Sequence, residues 1–158
     1  MKNSKVSIWT SSKFSLNNLV KKKKINISQI EEELKLVMKT SHEAVLVSSG
    51  RVGIILALMG KKLRRSDYIG LFPYASSCVI GAVGHVTSPI CGNIGSSLEH
   101  IINYHQWGYL NLVNNKNVLI DDAVDSFCLP NCKLMPSGGE FEIWSLNKTF
   151  GCLGGGVP

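Results

Sequence analysis

The chain has 158 residues, 44% of them apolar and only 18% charged, with a net charge of +6. That length holds one domain with a real core, and that composition excludes a disordered chain. The apolar runs are too short and too interrupted to span a bilayer, and the low charge implies surface covered by a partner or by further sequence.

Residues 1–27 are polar and basic and read as an N-terminal arm. Ser28 with Glu31 three residues on forms a capping box. Ile30, Leu34, Val37 and Met38 then recur at helical spacing, which predicts a helix from 28 to about Ser41. "AVLVSSG" (44–50) reads as a buried strand, and "RVGIILALMGKK" as a helix closing at Gly60. "YIGLFP" (68–73) is the next strand and "SSCVIGAVGH" (76–85) the next helix. "HIINYH" (100–105), "NVLID" (117–121) and "FEIWSL" (141–146) are further strands. Strands alternating with helices predict an α/β fold, a mostly parallel sheet with flanking helices covering both faces.

The basic residues sit mainly in two clusters, Lys21–Lys24 and Lys61, Lys62, Arg64, Arg65, which hold eight of the seventeen. Neither is interleaved with aromatics, so a solvated linker and a helix end are expected and not a nucleic-acid surface. The five cysteines, Cys78, Cys91, Cys128, Cys132 and Cys152, are odd in number and irregular in spacing. Free thiols in a reducing cytoplasm are expected. Cys128 and Cys132 lack a second ligand pair at zinc spacing, so no metal site is expected.

Three stretches carry the chemistry. In "VSSGRV" (47–52) a strand passes through small residues into a helix, whose first-turn N–H groups and dipole favour an anion. An ordinary helix cap fits the same residues. In "VLIDDAVDS" (118–126) apolar residues run into Asp121 and Asp122. Alternation along a strand sends these to opposite faces, so that one looks into the crevice at the carboxyl end of the sheet. A strand end followed by a helix cap is the plainer reading. In "EIWSLNKTFGCLGGG" (142–156), Lys148 follows an apolar segment. A lysine enclosed there has its charged form disfavoured and becomes a usable nucleophile. A surface lysine after an edge strand is the alternative. A phosphate cradle, an acid at a strand end and an amine after a later strand together match what pyridoxal phosphate demands. His105 lines that crevice or is a satisfied structural histidine, and Trp107 and Trp144 are packing residues.

Five segments, in order, resemble the sugar aminotransferases of the DegT/DnrJ/EryC1/StrS group, fold-type I pyridoxal-phosphate enzymes. They are "VSSGRVGIILAL", "LFPYASSCVIGAV", "IINYHQWGY", "VLIDDAVDS" and "GGEFEIWSLNKTFGCLGGG". The resemblance implies that residues 28–158 form an incomplete cofactor-binding large domain whose small C-terminal domain is missing. It implies Lys148 as the Schiff-base lysine and Asp122 as the partner of the pyridine nitrogen. Ser49, Gly50, Arg51 and Val52 would hold the phosphate, with Ser145 adding its hydroxyl from the Ser-x-x-Lys spacing. Ser77 and Asp125 would complete the cofactor contacts. The implied reaction moves an amino group from an amino acid donor to a nucleotide-linked keto sugar, in a homodimer whose sites are built from both subunits.

The sequence departs from that family in specific places. Ser76, Ser77 and Cys78 stand where an aromatic usually stacks on the ring, with Tyr74 nearby. Asp125 stands where Gln or His is usual. Stretches 90–100 and 109–117 are short, so helices between those strands are expected to be reduced or absent. The competing readings are another fold-type I reaction such as a lyase or desulfurase, a degenerate non-catalytic fragment, and a nucleic-acid module using the lysine run.

Overall fold

The computed structural model describes residues 26–38, 40–92, 98–106, 110–113, 116–125 and 137–150. Most of the expected arm lies outside these residues, as do Trp107, Cys128, Cys132, Cys152 and the glycines after Lys148. Among the described residues no helix is long and apolar enough to cross a membrane.

The elements in chain order are helix α1 (Ile27–Met38), helix α2 (Gly50–Gly60), strand β1 (Tyr68–Leu71) and helix α3 (Ser77–Gly84). Strands β2 (Ser88–Cys91), β3 (Ile101–Tyr104), β4 (Val118–Asp122) and β5 (Phe141–Ile143) follow, and a short helix α4 (Leu146–Phe150). The strands form one sheet in the order β2-β1-β3-β4-β5, and every pairing is parallel.

Helices α2 and α3 pack against each other, α3 against β2 and α2 against β5. Their apolar faces supply Ile54, Ala57, Leu58, Val79, Ala82 and Val83 to a core shared with Ile69, Leu71, Ile102, Leu119, Ile120 and Ile143. Both helices are apolar nearly all round, which suits elements pressed onto a sheet. Strands β3 and β4 are buried at every residue, so both faces of the sheet centre are covered.

Among the described residues between β3 and β4 there is no helix. A polar lattice covers that side instead. Asn103 Nδ2 donates to the carbonyl of Asn111 at 2.7 Å and to Ser137 Oγ at 2.6 Å, and Asn111 Nδ2 returns a bond to Asn103 Oδ1 at 2.8 Å. These bonds satisfy a buried amide where a helix would have left it facing hydrocarbon.

Four expectations need correction. The capping box does not form: Asn26 accepts the first helical bond from the Ile30 N–H, and Ser28 lies inside the first turn. Glu31 is drawn away to accept from the Leu46 N–H at 2.8 Å. Residues 44–50 are not a strand of the sheet, and only Val47 within them makes an isolated bridge. Strand β2, which contains Pro89, was not among the expected strands. It is an edge strand, where a missing N–H is tolerated. Finally, the strand predicted at 141–146 ends at Ile143, and Leu146 opens α4.

Leu58 is wholly buried between α2 and the sheet. Leu58→Ala is expected to cost about 2–5 kcal/mol in urea denaturation, the range for emptying a packed core position. A loss below about 1 kcal/mol would mean that α2 does not cover this face.

Candidate functional site

In an open parallel sheet, the carboxyl ends of the strands diverge where successive connections leave in opposite directions. Here β1 is followed by β2 on one side and flanked by β3 on the other. Loops from both sides and the start of α2 enclose a cavity of about 390 Å³ at that edge, a size suited to a small cofactor.

Its wall includes Ser49, Gly50 and Arg51 from the start of α2, and Ser76, Cys78 and Val79 from the turn into α3. Tyr104 and His105 come from the end of β3, Asp122 and Asp125 from the end of β4, and Ser145 and Lys148 from the segment after β5. Of the residues predicted from sequence, seven therefore meet here: Ser49, Gly50, Arg51, Asp122, Asp125, Ser145 and Lys148. Val52 and Ser77 lie outside the lining. Val52 donates its N–H to Ser49 Oγ at 3.4 Å, so Ser49 acts as the side-chain cap of α2. Ser77 is exposed, while its neighbours Ser76 and Cys78 reach the wall. Tyr74, the nearest aromatic in sequence, is 91% exposed and also outside the wall.

Gly50 explains how the start of α2 comes so close to β4. A Cβ on it would meet Val124 Cγ2 at 2.9 Å. Val124 is β-branched and stiff, so any larger residue would push the helix away from the strand end.

The two adjacent aspartates do divide between faces. Asp121 is fully buried in the polar lattice, bonded to His105 Nε2 at 2.9 Å and to the Gly139 N–H at 2.9 Å. His105 Nδ1 accepts from the Asn111 N–H at 3.1 Å, so its proton sits on Nε2 and is donated to the carboxylate. Burial pushes the Asp121 carboxyl upward, but the bonds from His105 and Gly139 outweigh it and hold it below the ordinary value. Gly139 must be glycine for this contact, because a Cβ would lie 2.8 Å from Asp121 Oδ2 and 3.0 Å from its backbone nitrogen.

Asp122 has no comparable set. It is 5% exposed, and its Oδ1 accepts from the Val124 N–H at 3.1 Å. Burial pushes its carboxyl up to about 6, with the negative charge of Asp125 adding to the rise. A desolvated carboxylate facing a cavity, short of donors, is a binding site for a cationic N–H.

Lys148 does not have the enclosure expected of it. Its side chain is 42% exposed, and its Nζ is ion-paired with Asp125 at the cavity mouth. The apolar run that precedes it is buried, but the turn into α4 carries the lysine outward. Ser145 Oγ accepts from the Lys148 N–H at 3.4 Å, so the Ser-x-x-Lys spacing works locally as a helix cap. A hydroxyl that accepts this bond keeps its own proton to donate into the cavity. Sequence reasoning missed Tyr104, which lay unremarked in the strand expected at 100–105; its signal was a phenol at the end of a strand beside the aspartate strand.

The family described as "Putative PLP-dependent aminotransferase" matches residues 30–158. The chain belongs to this family. Pyridoxal 5′-phosphate is the cofactor the family uses, and solved relatives hold it or its amine form, PMP. No curated protein sequence matches the chain.

Similar solved structures include NtdA from Bacillus subtilis with bound PMP, with a TM-score of 0.66 and 18% identity, over 83% of this chain and 36% of that one. "Putative sugar aminotransferase Spr1654 from Streptococcus pneumoniae, PMP-form" aligns with a TM-score of 0.64 and 16% identity, over 83% of this chain and 44% of that one. GDP-4-keto-6-deoxymannose-3-dehydratase (ColD) with bound GDP-perosamine aligns at 0.62 and 15% identity, over 83% and 42%. At these identities the likeness establishes the fold, and the chain spans less than half the length of each structure.

The residues present fit the cofactor. A helix start with a close glycine and an arginine suits a phosphate, a donor-poor buried carboxylate suits the ring nitrogen, and an amine stands at the mouth.

The raised carboxyl predicts a pH signature. With its folded pKa near 6 and an ordinary value of 3.8, Asp122 costs nothing below about pH 4. Stability is lost as pH rises through 6, by up to about 3 kcal/mol for the roughly two-unit rise. Without cofactor, Asp122→Asn should therefore be more stable than wild type at pH 7.5 and equal to it at pH 3.5, read by denaturant midpoints. Equal midpoints at both pH values would show that Asp122 is not desolvated.

Proposed function

We propose that this chain is the cofactor-binding part of an aminotransferase of the DegT/DnrJ/EryC1/StrS kind, which passes an amino group from an amino acid to a nucleotide-linked keto sugar. The observation that carries the reading is the meeting of Asp122, the start of α2 and Lys148 around one cavity at the carboxyl edge of the sheet. The sugar assignment draws its support from the relatives described as sugar aminotransferases and from the one solved with GDP-perosamine. A homodimer fits the span of this chain, which leaves much of such a site to be built by other segments. A reducing cytoplasm fits the free, exposed thiols Cys78 and Cys91.

Pyridoxal phosphate, when bound, supplies an aldehyde for amines and a protonated ring that accepts an electron pair from the substrate carbon. This chain's residues do the rest. Asp122 holds the proton on the ring nitrogen, and that cationic partner draws its carboxyl back down from its raised value. The N–H groups at the start of α2, the Arg51 guanidinium and the Ser145 hydroxyl bind and orient the phosphate. Lys148 would hold the cofactor through its amine, and the same amine would serve to move the proton during the transfer. Asp125 holds that amine at the cavity mouth.

One observation favours a second reading. Lys148 is exposed and already engaged by Asp125, as it would be in a member that keeps the fold without the reaction. The two separate in one experiment. Wild type mixed with pyridoxal phosphate should develop a visible absorption band, and borohydride should fix the cofactor's mass on Lys148. Lys148→Ala should lose both. A wild-type chain that gains neither band nor mass supports the non-catalytic reading.

A further inference from the structure

Tyr104 ends β3 and is paired in register with Asp122 at the end of β4. Residues paired in this way stand on the same face of the sheet, and both line the cavity. The Tyr104 side chain packs in the core cluster, with the residue 7% exposed. Its hydroxyl is the buried side-chain polar atom without a hydrogen-bond partner among the described residues. Asp122 stands beside it, yet the bond that carboxylate accepts comes from the Val124 N–H.

An orphaned hydroxyl is expensive, and phenylalanine would fill the same space without the cost. Burial, followed by the negative charge of Asp122, drives the phenol's pKa upward. The group therefore keeps its proton and is a donor in search of an acceptor. The cavity that Tyr104 lines can supply one.

Three kinds of acceptor oxygen exist on the proposed cofactor. The phosphate is accounted for by α2, Arg51 and Ser145, and the aldehyde by Lys148. The acidic oxygen on the ring is left. It needs a donor here, because Asp125 places negative charge at the same wall. We propose that the Tyr104 hydroxyl donates a hydrogen bond to that ring oxygen, so that β3 and β4 together read the ring edge through a donor and an acid. This inference rests on the cofactor reading above.

The test uses the full chain, wild type and Tyr104→Phe. Each is titrated with pyridoxal 5′-phosphate and with its 3-deoxy analogue, which lacks the ring oxygen, and each is unfolded without cofactor. Tyr104→Phe should match or exceed wild type in unfolding midpoint while binding pyridoxal phosphate about tenfold more weakly, the loss for one bond to a charged acceptor. The 3-deoxy analogue should bind both proteins alike. A lower midpoint in Tyr104→Phe would overturn the proposal, because the hydroxyl would then already be satisfied within the protein. So would an equal loss for both ligands, or no loss for either. Wild type that takes up neither ligand would overturn the cofactor reading and this inference with it, whereas wild type that binds both while Tyr104→Phe is unaffected removes this inference alone.

Discussion

Two carboxylates side by side at the end of a fully buried strand set the terms for this fold. Both are almost wholly buried, and neighbouring strand residues look to opposite sides. Each face of the sheet must therefore supply its own partner. On one side it does so from within: His105, Gly139 and the asparagine lattice enclose Asp121 and hold it ionised. On the other side the protein provides one backbone N–H to Asp122 and then opens into a cavity. The first aspartate is structural because its donors are complete. The second is available for chemistry because they are not.

The parts of the molecule legible in sequence are those governed by short-range pattern. "RVGIILALMGKK" and "SSCVIGAVGH" form helices within a residue or two of expectation, because apolar content and flanking small residues decide them locally. "NVLID" lands on β4 because a run of buried branched residues leaves little else possible. The expectation that Asp121 and Asp122 separate followed from strand alternation alone, and it fixed which stretch to search for the site. The resemblance to sugar aminotransferases pointed to the right cofactor family, and the family match agrees with it.

What could not be read depended on long-range partners. Glu31 had the spacing of a cap residue but bonds to Leu46, fifteen residues on. Strand β2 went unpredicted, and only the sheet order reveals that the nitrogen of Pro89 needs no neighbour there. The burial of "EIWSL" was anticipated, yet the direction in which Lys148 leaves it depends on the turn into α4 and on Asp125, two elements that periodicity does not link. The unpartnered Tyr104 hydroxyl is likewise invisible in one dimension, since a tyrosine inside an apolar strand gives no sign of whether its oxygen is satisfied.

The strand order has a consequence for how the chain comes together. Parallel neighbours cannot be joined by a tight turn, so every pairing in this sheet waits for a sizeable loop to close. Strand β1 pairs with β2 through the α3 connection, but its other edge stays bare until Ile101 and Ile102 arrive some thirty residues after Leu71. During synthesis that half-finished ribbon, with Ile69 and Leu71 uncovered on one flank, is the adhesive form of the protein. The interval before β3 docks is when it is most exposed to capture by another chain or by a chaperone.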